Sequence, residues 1–410
     1  MKGLFAVALG ILTAIGGFVD IGDLVTNAQV GARFGLSLAV VTLLGVLGIC
    51  VFAEMSGRVA AVSGRATFDL VRERLGPGVG LLNLVASMGV TLLTFVAEIG
   101  GVALALELAS SVSYLLFVPV VAVLVWIVLW RVKFDVLENV FGLLGLALIV
   151  FAVALWQLGP DWGQMVSEAV TFAKPQDETW TVYAYYAVAL FGAAMTPYEV
   201  FFFSSGGVEE HWSVKDLRTM RLNVFIGFPL GGLLSLAIAG STSVLFQPEG
   251  VDVSTLGQVG MPVAEALGTI GVVVVLVGFF GATFGAACET GLSVGYSIAQ
   301  YFGWQWGKYV RPLTAARFHA VLLLAVVAAV LVLMTTVDPI TVTEFSVVFS
   351  AIALPLTYLP ILVVANDRTY MGEHVNGPVA NTLATVFAAV IVVAAVAAIP
   401  LMVITRMGQG

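Results

Sequence analysis

Charge is what this sequence has least of. Only 10% of its 410 residues are Asp, Glu, Lys or Arg, while 60% are hydrophobic and the mean hydropathy is +1.06. A soluble domain carries roughly 25% charged residues to solvate its surface, so a water-soluble globule is excluded and most of the surface must face lipid. The period-two alternation of an outer-membrane barrel is missing as well; the apolar runs are continuous and about 20 residues long, as spanning helices require. Cysteine occurs twice, at Cys50 and Cys288, both in apolar stretches, and reads as a small buried hydrophobe rather than a disulfide or metal pair. The three histidines, His211, His319 and His374, form no H-E-x-x-H pair and no Cys/His cluster, which leaves an intramembrane metalloprotease without a site. No phosphate-cradling glycine loop or soluble domain is present to drive a pump with ATP. The net charge is −8 and no block of Lys or Arg occurs, which excludes a nucleic-acid partner. The chain therefore reads as a non-enzyme without a cofactor.

What is there is a series of apolar runs at about 4–19, 36–54, 79–107, 114–130, 139–157, 183–205, 221–246, 265–300, 316–336, 342–364 and 380–405. They predict an all-α polytopic membrane protein of eleven spans. Met1-Lys2 and the first run imitate a signal peptide, but no small-residue cleavage site comes after them, so the run is kept as the first span. The runs beginning at 79 and 265 exceed what a bilayer needs and predict tilt or extension beyond it. With the N-terminus in the cytoplasm, fourteen of the 17 Lys and Arg residues fall on the cytoplasmic side and only Arg33, Lys174 and Arg406 outside. Positive loops stay inside, so the expected protein is a multi-pass cell-membrane protein with a cytoplasmic N-terminus and an extracellular C-terminus.

Ionisable groups within spans are expensive and so mark function. Here they are Asp20, Asp23, Glu98, Glu107, Glu199, Glu289 and Glu344, with no Lys or Arg among them. Such one-sided charge needs protons, distant partners or a permeating cation. Two of the acids' neighbourhoods are helix breakers in corresponding places. Gly16-Gly17-Phe18-Val19-Asp20-Ile21-Gly22-Asp23 interrupts the first span, and Gly192-Ala193-Ala194-Met195-Thr196-Pro197-Tyr198-Glu199 the sixth. Broken helices at matching positions of two halves point to inverted five-helix repeats with an ion site at the midplane. The expected organisation is a first repeat over 1–157, an extracellular loop over 158–182, an inverted second repeat over 183–364, and a loop with the eleventh helix over 365–410. Asp20 and Asp23, three apart, converge on one cavity whether that stretch is helical or unwound. Oxygen ligands suit hard ions such as magnesium, calcium or manganese.

These residues resemble the Nramp family of divalent metal transporters. Asp20-Ile21-Gly22-Asp23 with Thr26, Gln29, Gly31-Ala32 and Phe34-Gly35 is similar to the family's D-P-G-N-x-x-T-x-x-Q-x-G segment. Ser63-Gly64-Arg65, Arg72-Glu73-Arg74, Ala97-Glu98-Ile99-Gly100 and the loop from Asp367 to Asn376 extend the likeness over nearly the whole chain. The resemblance implies a leucine-transporter-type fold of inverted five-plus-five repeats plus one helix, working by alternating access. The departures are pointed. The family's Asn is Asp23 and its M-P-H-N is Thr196-Pro197-Tyr198-Glu199, so the soft thioether is gone unless Met195 replaces it through a register slip. The acid three positions before Glu98 is Phe95, the sixth-span histidines correspond to Tyr198 and Phe203, and the tenth-span glutamine aligns with Val347. Together these changes resemble the Nramp-related magnesium transporters. The implied ligands are Asp20, Asp23, Glu199, Thr196 and the carbonyls of Gly17 and Ala193, with Glu98, Tyr198 and Glu289 in a second shell or along the ion path. The expectation is a monomer in a lipid bilayer, importing chiefly magnesium, with manganese as a lesser candidate, and without obligatory proton coupling. Its rivals are a proton-coupled manganese or iron importer and a sodium-coupled carrier of small organic solutes.

Overall fold

The computed structural model describes residues 10, 11, 14, 15, 18–171, 174, 175 and 178–409. Among these the secondary structure is wholly helical, and ten helices are long and apolar enough to cross a membrane. The first expected span, 4–19, lies mostly outside the described residues, although 10, 11, 14, 15 and 18 are helical. The main elements are α1 (Ile21–Phe34), α2 (Ala39–Ser63), α3 (Thr67–Ser110), α4 (Tyr114–Arg131), α5 (Phe134–Gly145), α6 (Val150–Leu158) and the short α7 (Trp162–Thr171). They continue with α8 (Trp180–Ala194), α9 (Pro197–Glu209), α10 (Leu217–Leu222), α11 (Phe228–Phe246), α12 (Leu256–Phe302), α13 (Ala316–Leu333), α14 (Pro339–Ala365), α15 (Arg368–Met371) and α16 (Pro378–Ile404).

The two overlong runs are overlong helices. α3 has 44 residues, which at 1.5 Å per residue is about twice the ~30 Å hydrocarbon core, and α12 has 47. Each bends at a glycine in the left-handed region, Gly76 at φ 86° and Gly268 at φ 60°, a conformation that a side chain would penalise. The piece before each bend still buries one face, Phe68, Leu70 and Val71 before Gly76 and Leu256, Val259 and Val263 before Gly268, and the long piece packs inside the bundle. α3 runs against both α12 and α14, while α1 is wedged between α11, α8 and α14.

Several of the cations predicted to share a side are paired across neighbouring loops and helix ends. Arg58 and Arg221 both pair with Glu54, Arg74 with Asp367 and Arg65 with Glu73, while Arg72 donates to the Tyr301 carbonyl. Lys308 donates to the last carbonyls of α4, at Val128 and Leu129. Arg33 lies at the opposite end, paired with Glu178 at 2.5 Å. Both cysteines are buried and free, as expected.

Candidate metal site

The site is built on two interruptions. Val19 and Asp20 are non-helical, and α1 begins at Ile21 with Asp20 as its N-cap (φ −98°, ψ −177°). An aspartate is favoured there because its side chain satisfies an orphan N–H of the first turn, and Asp20 Oδ1 accepts from Asp23 N at 2.9 Å. The paired glycines Gly16 and Gly17, the second of which was expected to supply a carbonyl ligand, lie outside the described residues. The second interruption falls as predicted. α8 ends at Ala194, Met195 and Thr196 are non-helical, and Pro197 opens α9. Proline has no N–H, so the Ala193 carbonyl four residues earlier lacks its helical donor and is free to face a cation.

Side chains join the two breaks. Tyr198, in the first turn of α9, donates its hydroxyl to Asp20 Oδ2 at 3.2 Å. Glu98 on α3 accepts the otherwise orphan N–H of Ile21 at 3.1 Å, and its other oxygen, Oε2, is buried with no partner among the described residues. Thr196 donates to Glu199 Oε2 at 3.4 Å, and its carbonyl accepts from Tyr358 at 3.4 Å. Asp20, Asp23 and Thr196 are buried to 5% exposure or less and Glu98 completely, whereas Glu199 and Glu289 are partly exposed. Glu199 is within electrostatic reach of Asp20 and Asp23, and Glu289 of Glu98 and Tyr198. Among the described residues no Lys, Arg or His forms an ion pair with Asp20, Asp23, Glu98 or Glu199. Buried carboxylates without a protein counter-charge are strongly unfavourable as anions, so this locus has a standing demand for protons or a cation.

The carboxylates do not by themselves form a cage. Among the described residues no three His, Cys, Asp or Glu side chains are grouped to hold a metal ion. Both Asp20 oxygens are occupied, one by the Asp23 N–H and one by Tyr198. An ion bound here would draw on carboxylates, the Thr196 hydroxyl, the Ala193 carbonyl and its own retained waters, and would displace at least one of these hydrogen bonds.

The positions that depart from the Nramp pattern are packed accordingly. Met195 is fully buried with its sulfur against Gly48 of α2, beside Phe387 of α16, so it is occupied in the core. Phe95 packs on Gly291 of α12, Phe203 stacks edge-on with Trp212, and Val347 of α14 lies against Gly22 at the first break.

Three features are not apparent from the sequence. Asn27, one turn after Asp23, donates to the Asp23 carbonyl at 2.9 Å and reaches its carboxylate at 3.4 Å. Gln29 donates to Glu344 at 2.7 Å, which sets the Glu344 carboxylate of α14 against α1. The two border a cavity of about 380 Å³ that also touches Arg33, Tyr186 and Asp252, and a narrower space continues to Thr26 and Val347, within a turn of Asp23. The helical period places Thr26 and Asn27 near Asp23, and Thr26 and Gln29 also belong to the Nramp-like segment, but their partners are not readable from either signal.

The chain is similar to known proteins in family and in fold. The model of the Natural resistance-associated macrophage protein-like family, Nramp, matches residues 10–400. A divalent metal cation transporter MntH from Acidiphilium cryptum is 24% identical over 364 residues, covering 87% of this chain and 81% of the relative. The crystal structure of an Eremococcus coleocola manganese transporter, bound to an aromatic bis-isothiourea compound, superposes with a TM-score of 0.67 at 17% identity, over 96% of this chain and 85% of that one. Mhp1, a nucleobase-cation-symport-1 family transporter in a closed conformation, gives 0.62 at 14% identity over 96% and 91%. With the family matched from before the first break to residue 400, within α16, the chain belongs to the Nramp family of divalent metal cation transporters.

Proposed function

We propose that the transported ion is chiefly magnesium, moved inward by alternating access and without obligatory proton cotransport. The observation that carries this reading is the double helix break, where Asp20, Asp23 and Glu199 lie within electrostatic reach of one another without a protein cation while the nearby thioether, Met195, is turned into packing against Gly48. A site of carboxylates, one hydroxyl and freed carbonyls has only hard oxygen donors, and magnesium, which keeps much of its water, suits sparse direct contacts. The ligands in this reading are Asp20, Asp23, Thr196, Glu199 and the carbonyls of Gly17 and Ala193, with Glu98, Tyr198 and Glu289 lining the path. Two charges entering an interior negative by 100 mV gain about 4.6 kcal/mol, so uptake needs no further drive. Inverted repeats over 1–157 and 183–364, the cation-rich end in the cytoplasm and a monomeric carrier complete the proposal.

A second reading, proton-coupled import of manganese or iron, draws on Glu98 Oε2, a buried oxygen that a proton would satisfy. Flux into proteoliposomes separates the two: magnesium and manganese uptake are recorded together with lumenal pH, and Asp20→Ala is the control. Magnesium entry without acidification, lost in the control, is the expected result. Manganese entry with acidification and no magnesium flux would overturn the proposal.

A further inference from the structure

The cation-rich end of the bundle holds a cavity of about 560 Å³ that takes no part in the metal site. It lies between the end of α2, the turn after α10 and the start of α16, and its walls differ in chemistry. On one wall Glu54 accepts from Arg58 Nε at 3.0 Å and from Arg221 Nε at 2.9 Å. Two guanidinium groups thus share one carboxylate and leave positive charge in excess; Glu373 at the rim is 92% exposed and screened by solvent. Arg58 is buried and committed, donating also to Asn376 Oδ1 at 2.5 Å and to the His374 carbonyl. Arg221 is not. Its side chain is 49% exposed, and among the described residues neither of its η nitrogens has a partner. The other wall is apolar and open to the bundle's outer surface, with Phe225 49%, Val379 73% and Leu383 45% exposed.

We propose that this cavity binds an anionic glycerophospholipid, its phosphate on the free η fork of Arg221 and one acyl chain along Phe225, Val379 and Leu383. A guanidinium offers two parallel N–H groups that match a phosphate's oxygens, which an ammonium does not. Basic pockets between spanning helices hold anionic headgroups, and the adjoining apolar wall selects an amphiphile over a free anion. The lipid would brace α16 against α2 and against the π-helical turn Asn223–Gly227 that carries Phe225. The inference is independent of which ion is transported.

The test uses the full-length protein in phosphatidylcholine nanodiscs with and without phosphatidylglycerol, reading retained lipid by native mass spectrometry and the melting temperature. Phosphatidylglycerol is expected to be retained and to raise the melting temperature. Arg221→Ala should weaken retention about tenfold, the usual scale for a lost charge-assisted pair, and Arg221→Lys should fall between. Leu383→Trp, which fills the apolar groove and leaves Arg221 intact, should also reduce retention. Lys215→Ala, an exposed cation outside the cavity, should not. If Arg221→Ala does not fold, the lysine and tryptophan variants carry the test. The proposal is overturned if retention survives in both cavity variants, if Lys215→Ala matches them, or if inorganic phosphate stabilises the protein as well as the lipid does.

Discussion

Tyr198 stands where the Nramp pattern has histidine, and its hydroxyl ties the second break to the first through Asp20 Oδ2. A cation approaching Asp20 must displace that bond, and a hydrogen bond to a charged group is worth about 1.5–3 kcal/mol net. Tyr198→Phe is therefore expected to tighten magnesium binding by roughly tenfold in calorimetric titration; weaker binding would mean that the phenol orients Asp20 for the ion rather than competing with it. Thr196 carries the opposite experiment. Thr196→Met places a thioether at the break, where Met195 cannot supply one because it packs on Gly48. Cadmium and manganese should then bind about tenfold more tightly, and magnesium flux should fall, as a soft donor replaces a hard one. At this scale much was legible from sequence: a carboxylate inside an apolar run stands out, and so does proline within a span. Asn27 did not stand out and Gln29 did so only through the family likeness, because a polar residue on a helix face acquires meaning from what that face meets, here Asp23 and Glu344.

Helices α1 and α11 meet at almost backbone distance. A Cβ at Gly31 would run into the Ala239 carbonyl and the Thr242 hydroxyl, and neither neighbour is the end of a flexible chain. Gly31→Ala should destabilise the protein by about 1–3 kcal/mol in a detergent melt, by forcing the half-helix that carries Asp20 and Asp23 away from α11. A second test concerns the end of α4. Lys308, in the segment between α12 and α13, donates to the Val128 and Leu129 carbonyls, and burial pushes it from the ordinary 10.5 down to about 8. Between those values the unfolded chain binds more protons than the folded one, so stability should rise as pH goes from about 8 toward 10.5. Lys308→Met should flatten that rise in the melting temperature; a slope unchanged in the variant would assign it to another group. Element boundaries were legible where hydropathy changes sharply, as at Tyr114 and Arg131. The extension expected of the runs at 79 and 265 is present, but its start at Thr67 and Leu256 was not legible, since an amphipathic piece has no lipid-length run to betray it.

At the end of the bundle opposite the paired cations, contacts around Arg33 join residues that are remote in sequence. Arg33 at the end of α1 bonds Glu178 at 2.5 Å, the Tyr186 hydroxyl at 3.2 Å and the Gly408 carbonyl at 2.6 Å. The tail after α16 reaches it through three consecutive left-handed residues, Arg406, Met407 and Gly408, two of which carry side chains that disfavour that conformation. Met407 thereby borders both the outer cavity and the narrower space leading to Thr26. No local pattern predicts such a contact, which is why Arg33 reads from sequence only as one of three stray cations. In an alternating-access carrier the bonds that close one face set how often it opens, and losing a partly buried guanidinium's charged bonds should raise the open population at least tenfold. A cysteine at Thr26 reports this directly, because Cys50 and Cys288 are both buried and leave a quiet background. The expected outcome is that Thr26→Cys reacts slowly with an impermeant methanethiosulfonate added outside intact cells, and at least ten times faster when combined with Arg33→Ala. An unchanged rate would mean that Tyr185, Tyr186 and Val347, not the Arg33 cluster, hold this face shut. Labelling only from the inner side would place this end in the cytoplasm and reverse the orientation proposed from the cation bias.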